Sequence, residues 1–286
     1  MGNMTLRQFL NAATARLTAA HTDAPRLAAQ VLAAHALQCT RLDLALRAED
    51  PLLPAQIAAV EALLQRREQG EPVAYIIGTR EFFGRDFAVT PATLIPRPET
   101  EELVEAALRA LAAPRALFAD IGTGSGCIAV TLAAQRPGWQ GCMLDISAAA
   151  LQTANANAAR HGVAQRLLAV RGDLCRLPLE RGTLDLLISN PPYISADEYA
   201  TLDRGVREFE PRTALTPDVT GLSHLHALAL RGAEMVRAGG LCLVEHGAAQ
   251  GEAVAELFAN TGYWQDISTH KDMAGHDRWC QCRRSK

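Results

Sequence analysis

No apolar run in this 286-residue chain reaches the ~18 residues that a membrane-crossing helix requires. A transmembrane protein is therefore not expected. No two of its seven cysteines stand in C-x-x-C spacing, and their number is odd. That argues against a zinc site, a redox pair or a disulfide framework, so no metal is expected. Positive charge is not in surplus either: 28 Lys and Arg face 31 Asp and Glu, for a net charge of −3. No global field draws the chain to nucleic acid or to a membrane surface, and a direct nucleic-acid target is not expected. The opening Met1-Gly2-Asn3-Met4-Thr5-Leu6-Arg7-Gln8 lacks the basic-then-apolar order of a secretion signal. It also lacks the Ser or Thr at position 6 that myristoylation asks for. No internal repeat, low-complexity tract or extended heptad stands out, so a monomer is expected. A hydrophobic share of 49% and a charged share of 21% describe an ordinary globular protein. A cytoplasmic location follows as the expectation.

Against those absences one stretch carries chemistry. Asn190-Pro191-Pro192-Tyr193 follows the apolar run Leu184-Asp185-Leu186-Leu187-Ile188-Ser189, where a buried strand ends and a loop begins. Consecutive prolines fix φ and bring no amide donors, leaving a rigid loop with carbonyls to offer. Asn190 adds a side-chain acceptor and Tyr193 an aromatic face. Rigid acceptors beside an aromatic plate suit a planar –NH2 group, on an amide or on an aminated base. Methylation of nitrogen is the chemistry this implies, if a methyl donor binds nearby.

A donor site is legible upstream. The strand candidate Ala116–Ile121 runs into Gly122-Thr123-Gly124-Ser125-Gly126, and a helix candidate begins at Cys127. Such a turn lets backbone approach a ligand closely at a helix N-terminus. The next strand candidate ends in Asp145, 19 residues after Gly126, where an acid can accept from ribose hydroxyls. A third, Leu167–Val170, leads to Gly172-Asp173-Leu174, where the acid can accept from an adenine amine. The spacing is G-x-G-x-G, not the G-x-G-x-x-G of dinucleotide sites. That favours a nucleoside without a pyrophosphate, hence S-adenosylmethionine, with S-adenosylhomocysteine as product.

The organisation divides in three. Residues 1–70 are rich in Ala, Leu and Arg, and Leu6, Phe9, Leu10, Ala13 and Leu17 form one helical face. Asp23 and Pro25 predict a capped helix over 26–38, and Pro54 and Gly70 bracket another over 55–68. Residues 71–97 read as a hairpin linker with turns at Gly78 and Gly84. From 98 to 286 short strands alternate with helices, the pattern of a parallel α/β sheet. Residues 190–221 read as a loop, followed by helices over 222–237 and 249–260 and strands over 240–245, 264–269 and 277–283. Cys280 and Cys282 should share one face of the last strand.

With these motifs in place, the chain resembles the PrmC/HemK family from about Leu6 to its C-terminus. The resemblance rests on Glu71-Pro72-Val73-Ala74-Tyr75, Gly78-Thr79-Arg80-Glu81-Phe82 and Thr93-Leu94-Ile95-Pro96-Arg97-Pro98-Glu99-Thr100-Glu101. Phe209-Glu210-Pro211 and Val244-Glu245-His246-Gly247 add to it. The resemblance implies a Rossmann-like class I methyltransferase domain behind a small helical bundle that helps grip a protein substrate. It implies methyl transfer from S-adenosylmethionine to the glutamine amide of the Gly-Gly-Gln tripeptide in peptide-chain release factors. Gly122 to Gly126, Asp145 and Asn190 match the family position by position, and Asn190 to Tyr193 fill the substrate-amide role. Leu174 departs from an aromatic found in some relatives. Glu99, Glu208, Glu210 and Glu245 are candidates for contacts near the site, and each reads equally as an ion pair or cap. His246 reads as a structural histidine. An adenine-specific nucleic-acid methyltransferase with the same loop is the alternative, followed by a binding module that has lost catalysis.

Overall fold

The computed structural model describes residues 4–173 and 180–286. The chain forms two compact units. One takes the chain up to Thr79 together with Asp203–Phe209, and the other takes Arg80–Leu202 and Glu210–Lys286.

In the first unit, helices α1 (Leu6–Ala19), α2 (Pro25–Ala36), α3 (Arg41–Leu46), α4 (Pro54–Glu68) and α5 (Val73–Ile77) enclose their own core. Leu6, Phe9, Ala13 and Leu17 are buried there with Leu32, Val60 and Leu64, while Leu10 is only half-buried. The cap expected at Asp23 belongs to Ala24, in a left-handed conformation (φ 42°). Asp23 instead pairs with the buried guanidinium of Arg67, which also donates to the carbonyls of Gly70 and Glu71. A charged partner at the end of α4 outcompetes a local cap. The short α3 escaped the periodicity. Its Thr40–Asp43 capping box closes both terminal amides within six residues, too few for a repeat to show.

Strands β1 (Thr79–Phe82), whose first residue closes the first unit, and β2 (Arg85–Ala88) begin the second unit. The hairpin is thus narrower than the 71–97 expected. Residues 73–77 are helical, and Gly78 is the left-handed cap of that helix. Phe83 and Gly84 both take positive φ, the geometry of a tight two-residue hairpin turn. There follow α6 (Glu99–Ala110), β3 (Ala116–Ile121), α7 (Cys127–Gln135), β4 (Trp139–Asp145), α8 (Ala148–Arg160), β5 (Leu167–Arg171) and β6 (Leu184–Ser189). The expected loop over 190–221 contains α9 (Ala196–Thr201) and α10 (Arg204–Phe209), the latter part of the first unit. Then come α11 (Ser223–Met235), β7 (Val236–Glu245), α12 (Gly251–Asn260), β8 (Trp264–Lys271) and β9 (Asp277–Arg284).

Seven of these strands form one sheet in the order β5-β4-β3-β6-β7-β9-β8, parallel except where β9 inserts antiparallel between β7 and β8. Side-chain alternation decides which layer each residue serves. Phe118, Leu186, Ile188, Leu241 and Leu243 face the layer of α6, α7 and α8. Ala119, Leu187, Cys242, Val244, Cys280 and Cys282 face the layer of α11 and α12, so the two late cysteines do share a face. The strand order reverses between β3 and β6. A crevice at the carboxyl ends of those two strands is where an open α/β sheet takes its ligand.

Candidate active site

A cavity opens at that reversal, lined by Gly122 to Ser125 after β3, Asp145 at the end of β4 and Gly172-Asp173 after β5. Asn190, Pro191 and Pro192 after β6, together with Thr93, Leu94, Pro96 and Arg97, form another part of its wall. The fold therefore brings the separate sequence motifs to one place. Leu174 lies outside the described residues.

The glycine loop is held mostly by backbone. The amides of Gly122 and Thr123 donate to Leu144 O at 2.8 and 2.9 Å, and Gly126 donates to Thr123 O at 2.8 Å. Gly124 donates to Asp145 Oδ2 and Ser147 to Asp145 Oδ1, both at 2.9 Å. With these amides engaged inside the protein, the loop has few left for a pyrophosphate. The Asp145 carboxylate keeps lone pairs for hydroxyl donors, which suits a nucleoside. Gly126, at φ 80°, lies so close to α8 that a Cβ would stand 3.0 Å from that of Ala154. Only glycine meets both demands.

One residue under this loop escaped the motif reading. Asp120 is fully buried in β3, where its Oδ2 accepts from Thr123 Oγ1 at 2.6 Å and from the Ala129 amide at 3.2 Å. Burial pushes its carboxyl up to about 7, against the pull of those two donors. The available signal was an acid in an otherwise apolar strand two residues before the first glycine.

The acceptor side is built from side chains. Asn190 Nδ2 donates to Thr100 Oγ1 at 3.0 Å. Thr100 Oγ1 donates to Glu245 Oε2 at 2.7 Å, and Tyr193 Oη donates to Glu245 Oε1 at 3.2 Å. Register explains the meeting. Ser189 pairs with Val244, so the next residues along the parallel strands, Asn190 and Glu245, fall side by side on the face covered by α6. Among the described residues no donor is paired with Asn190 Oδ1 or with the Pro191 carbonyl. Gln250 Nε2 donates to Tyr193 O at 2.9 Å, and Gly221 packs so tightly that a Cβ would stand 2.2 Å from that oxygen. Neither residue was legible as part of the site.

Tyr193 does not line the cavity. Its ring packs against the α11–α12 side of the core, and burial followed by the Glu245 charge pushes its phenol well above the ordinary range. A phenol held protonated in this way does not serve as a base. Burial also pushes Glu245 up to about 7, opposed by the Thr100 and Tyr193 hydrogen bonds and by Arg278.

The other acids separate clearly. Glu210 is buried, accepting from the Ile95 amide at 3.1 Å and pairing with Arg97 at 2.6 Å. It thereby ties the Leu-Ile-Pro-Arg segment to Glu-Pro beside the cavity. Glu208 pairs with Arg204 one helical turn away in the first unit. His246 is fully buried, its Nδ1 at 2.9 Å from Gly247 O, and burial holds its pKa below the usual value. No helix among the described residues is long and apolar enough to cross a membrane.

Comparison with known proteins identifies the family. A family model of the PrmC N-terminal domain matches residues 8–78, and one of the methyltransferase small domain matches residues 101–208. The Release factor glutamine methyltransferase of Nitratidesulfovibrio vulgaris is 50% identical over 282 residues, spanning 98% of this chain and 96% of that one. Its namesake from Cereibacter sphaeroides is 47% identical over 274 residues, 96% of each chain. Among solved structures, a methyltransferase from Pyrococcus furiosus shares the fold, with a TM-score of 0.52 at 15% identity over 79% of this chain and 98% of that one.

Proposed function

The chain belongs to the release factor glutamine methyltransferases, which use S-adenosylmethionine, and from that premise we propose that it methylates the side-chain amide nitrogen of the glutamine in the Gly-Gly-Gln motif of peptide-chain release factors. The observation that carries the reading is the pair of acceptors, Asn190 Oδ1 and Pro191 O, that take no donor from the described residues, on the wall of a cavity whose other side suits a nucleoside.

An amide nitrogen is a poor nucleophile because its lone pair is shared with the carbonyl. In this proposal Asn190 Oδ1 and the Pro191 carbonyl accept the two N–H bonds of the substrate. Both interactions strengthen as positive charge develops on nitrogen, so they favour the transition state over the ground state. The bound sulfonium supplies a methyl group already activated by its charge. Gly122 to Gly126 cradle the donor, Asp145 takes its ribose hydroxyls and Asp173 its adenine amine. Two fixed acceptors and a fixed donor cradle hold the reacting atoms in line, which supplies much of the acceleration. Pro192 stiffens the loop. Tyr193 braces the site through its hydroxyl on Glu245, beside the stacking role read from its residue type. The helical unit is assigned to gripping the protein substrate, residues 71–97 to linking, and residues 98–286 to the chemistry.

Mass spectrometry after incubation with S-adenosylmethionine and an unmethylated release factor tests this. One added methyl on the Gly-Gly-Gln glutamine is the expected result. No methyl there, with S-adenosylmethionine bound, would redirect the search to a nucleic-acid adenine or to another protein amide.

A further inference from the structure

The Asn190 carboxamide has two orientations of almost equal shape and opposite polarity. With Oδ1 outward it accepts from a substrate –NH2 group. With Nδ2 outward it opposes donor to donor and the site fails. Nothing in the loop itself makes that choice, since the prolines on its far side bring no amide donors.

Proton counting makes it. Thr100 has one hydroxyl hydrogen, and Glu245 Oε2 takes it at 2.7 Å. Toward Asn190, 3.0 Å away, Thr100 is left with lone pairs only. Placing Oδ1 there would set acceptor against acceptor, so Nδ2 turns inward and the oxygen faces the cavity. Both groups that enforce this are buried, Thr100 at 2% and Glu245 at 1% exposure, so their bond to each other is shielded from bulk solvent. Tyr193 occupies the other carboxylate oxygen and keeps Glu245 from turning.

We propose that Thr100 and Glu245 are positioning residues that set the polarity of the Asn190 carboxamide and so make the acceptor site competent. The proposal rests on the reading above, in which Asn190 Oδ1 accepts from the substrate amide.

A consequence distinguishes this from mere packing. A protonated Glu245 has a hydrogen of its own to give to Thr100. The Thr100 hydrogen is then released toward Asn190, whose oxygen turns inward to meet it. The charge on Glu245 is set by burial, by the Thr100 and Tyr193 hydrogen bonds, by Arg278 on β9 and by Glu99 on α6, while the Cys127 thiol on α7, kept neutral by its own burial, adds no charge. Arg278 is itself paired with Asp272 at 3.0 Å. With the Glu245 carboxyl pushed up to about 7, competence is lost as pH falls through that value and complete above it.

The test measures kcat, the KM for release factor, and S-adenosylmethionine affinity by calorimetry across pH, for wild type, Thr100→Val, Thr100→Ser and Asn190→Ala. Thr100→Val keeps the shape but removes the acceptor. Its kcat is expected to fall about 10²-fold, the scale of a misplaced reacting group, with KM and donor affinity little changed. Thr100→Ser should restore most of the rate, and the acid limb near neutral pH should vanish in Thr100→Val. Full turnover by Thr100→Val beside an inactive Asn190→Ala overturns this inference and leaves the reading of Asn190 standing. An active Asn190→Ala overturns that reading itself. Should Thr100→Val not fold, Glu245→Gln carries the same question, because an acid limb persisting in that variant overturns the proposal.

Discussion

On the side of the cavity proposed to take the methyl donor the chain is held largely by its own backbone: loop amides bond to the end of β4, and Asp145 receives two amides from within 21 residues of itself. On the acceptor side, Asn190 is held by side chains 90 and 145 residues removed from one another, through Thr100 and Glu245. Tyr193 is held by Glu245 and Gln250, 52 and 57 residues away. The difference teaches where each function is encoded. A backbone-held loop can be written as a short motif, because its partners are local. A side-chain-held loop needs residues scattered over the chain, and only sheet register brings them together.

Breaking the acceptor side alone should give the largest effect. Asn190→Ala is expected to cost roughly 3–4 kcal/mol in the transition state, by analogy with losing one oxyanion-hole donor, while calorimetry finds S-adenosylmethionine bound as before. Next comes Gly221→Ala, which forces a Cβ against the Tyr193 carbonyl at a residue with φ 76°. Shifting the loop by about 1 Å should lower kcat by about 10²-fold, again with donor affinity preserved. If donor affinity falls in step with kcat, the two sides are not separable as described.

The mirror experiment is smaller. Gly126→Ala meets positive φ and the α8 backbone together, a strain of about 1–2 kcal/mol. Weaker donor binding with little change in the KM for release factor should follow, measured by calorimetry and steady-state kinetics.

These contrasts also explain what could be read beforehand. That the glycine turn, Asp145, Asp173 and Asn190 to Pro192 would share one cavity was legible because each sits at a strand end with a local signature. Asp120 was not, since a carboxylate in an apolar strand reads as a pattern error until its two donors are seen. Glu245 was named, yet its role needed the pairing of β6 with β7 and the cover of α6. Gln250 and Gly221 were invisible because their partner is a main-chain oxygen, which no side-chain pattern announces. In the helical unit, Asp23 misled because its residue type suits a cap and its geometry serves Arg67.

The smallest effect concerns the donor side's foundation. Asp120 binds its proton more tightly when folded, since burial pushes its carboxyl from 3.8 up to about 7. The fold therefore gains stability from this group as pH falls from about 7 toward 4, and loses that gain as pH rises. Denaturant unfolding of wild type and Asp120→Asn across that window checks the sign. The difference between them should move in favour of wild type toward lower pH, and a flat difference would show that Asp120 does not titrate there.

Asn157, buried on α8, gives its NH2 hydrogens to Ser125 O at 2.8 Å and to Ala88 O at 2.9 Å, and accepts from the Ala88 amide at 2.8 Å. A single carboxamide thus links the glycine loop to the β2 strand of the hairpin. The Ala88 amide becomes a built-in reporter: its exchange with deuterated solvent should slow when ligand stiffens the loop, registering occupancy from outside the cavity.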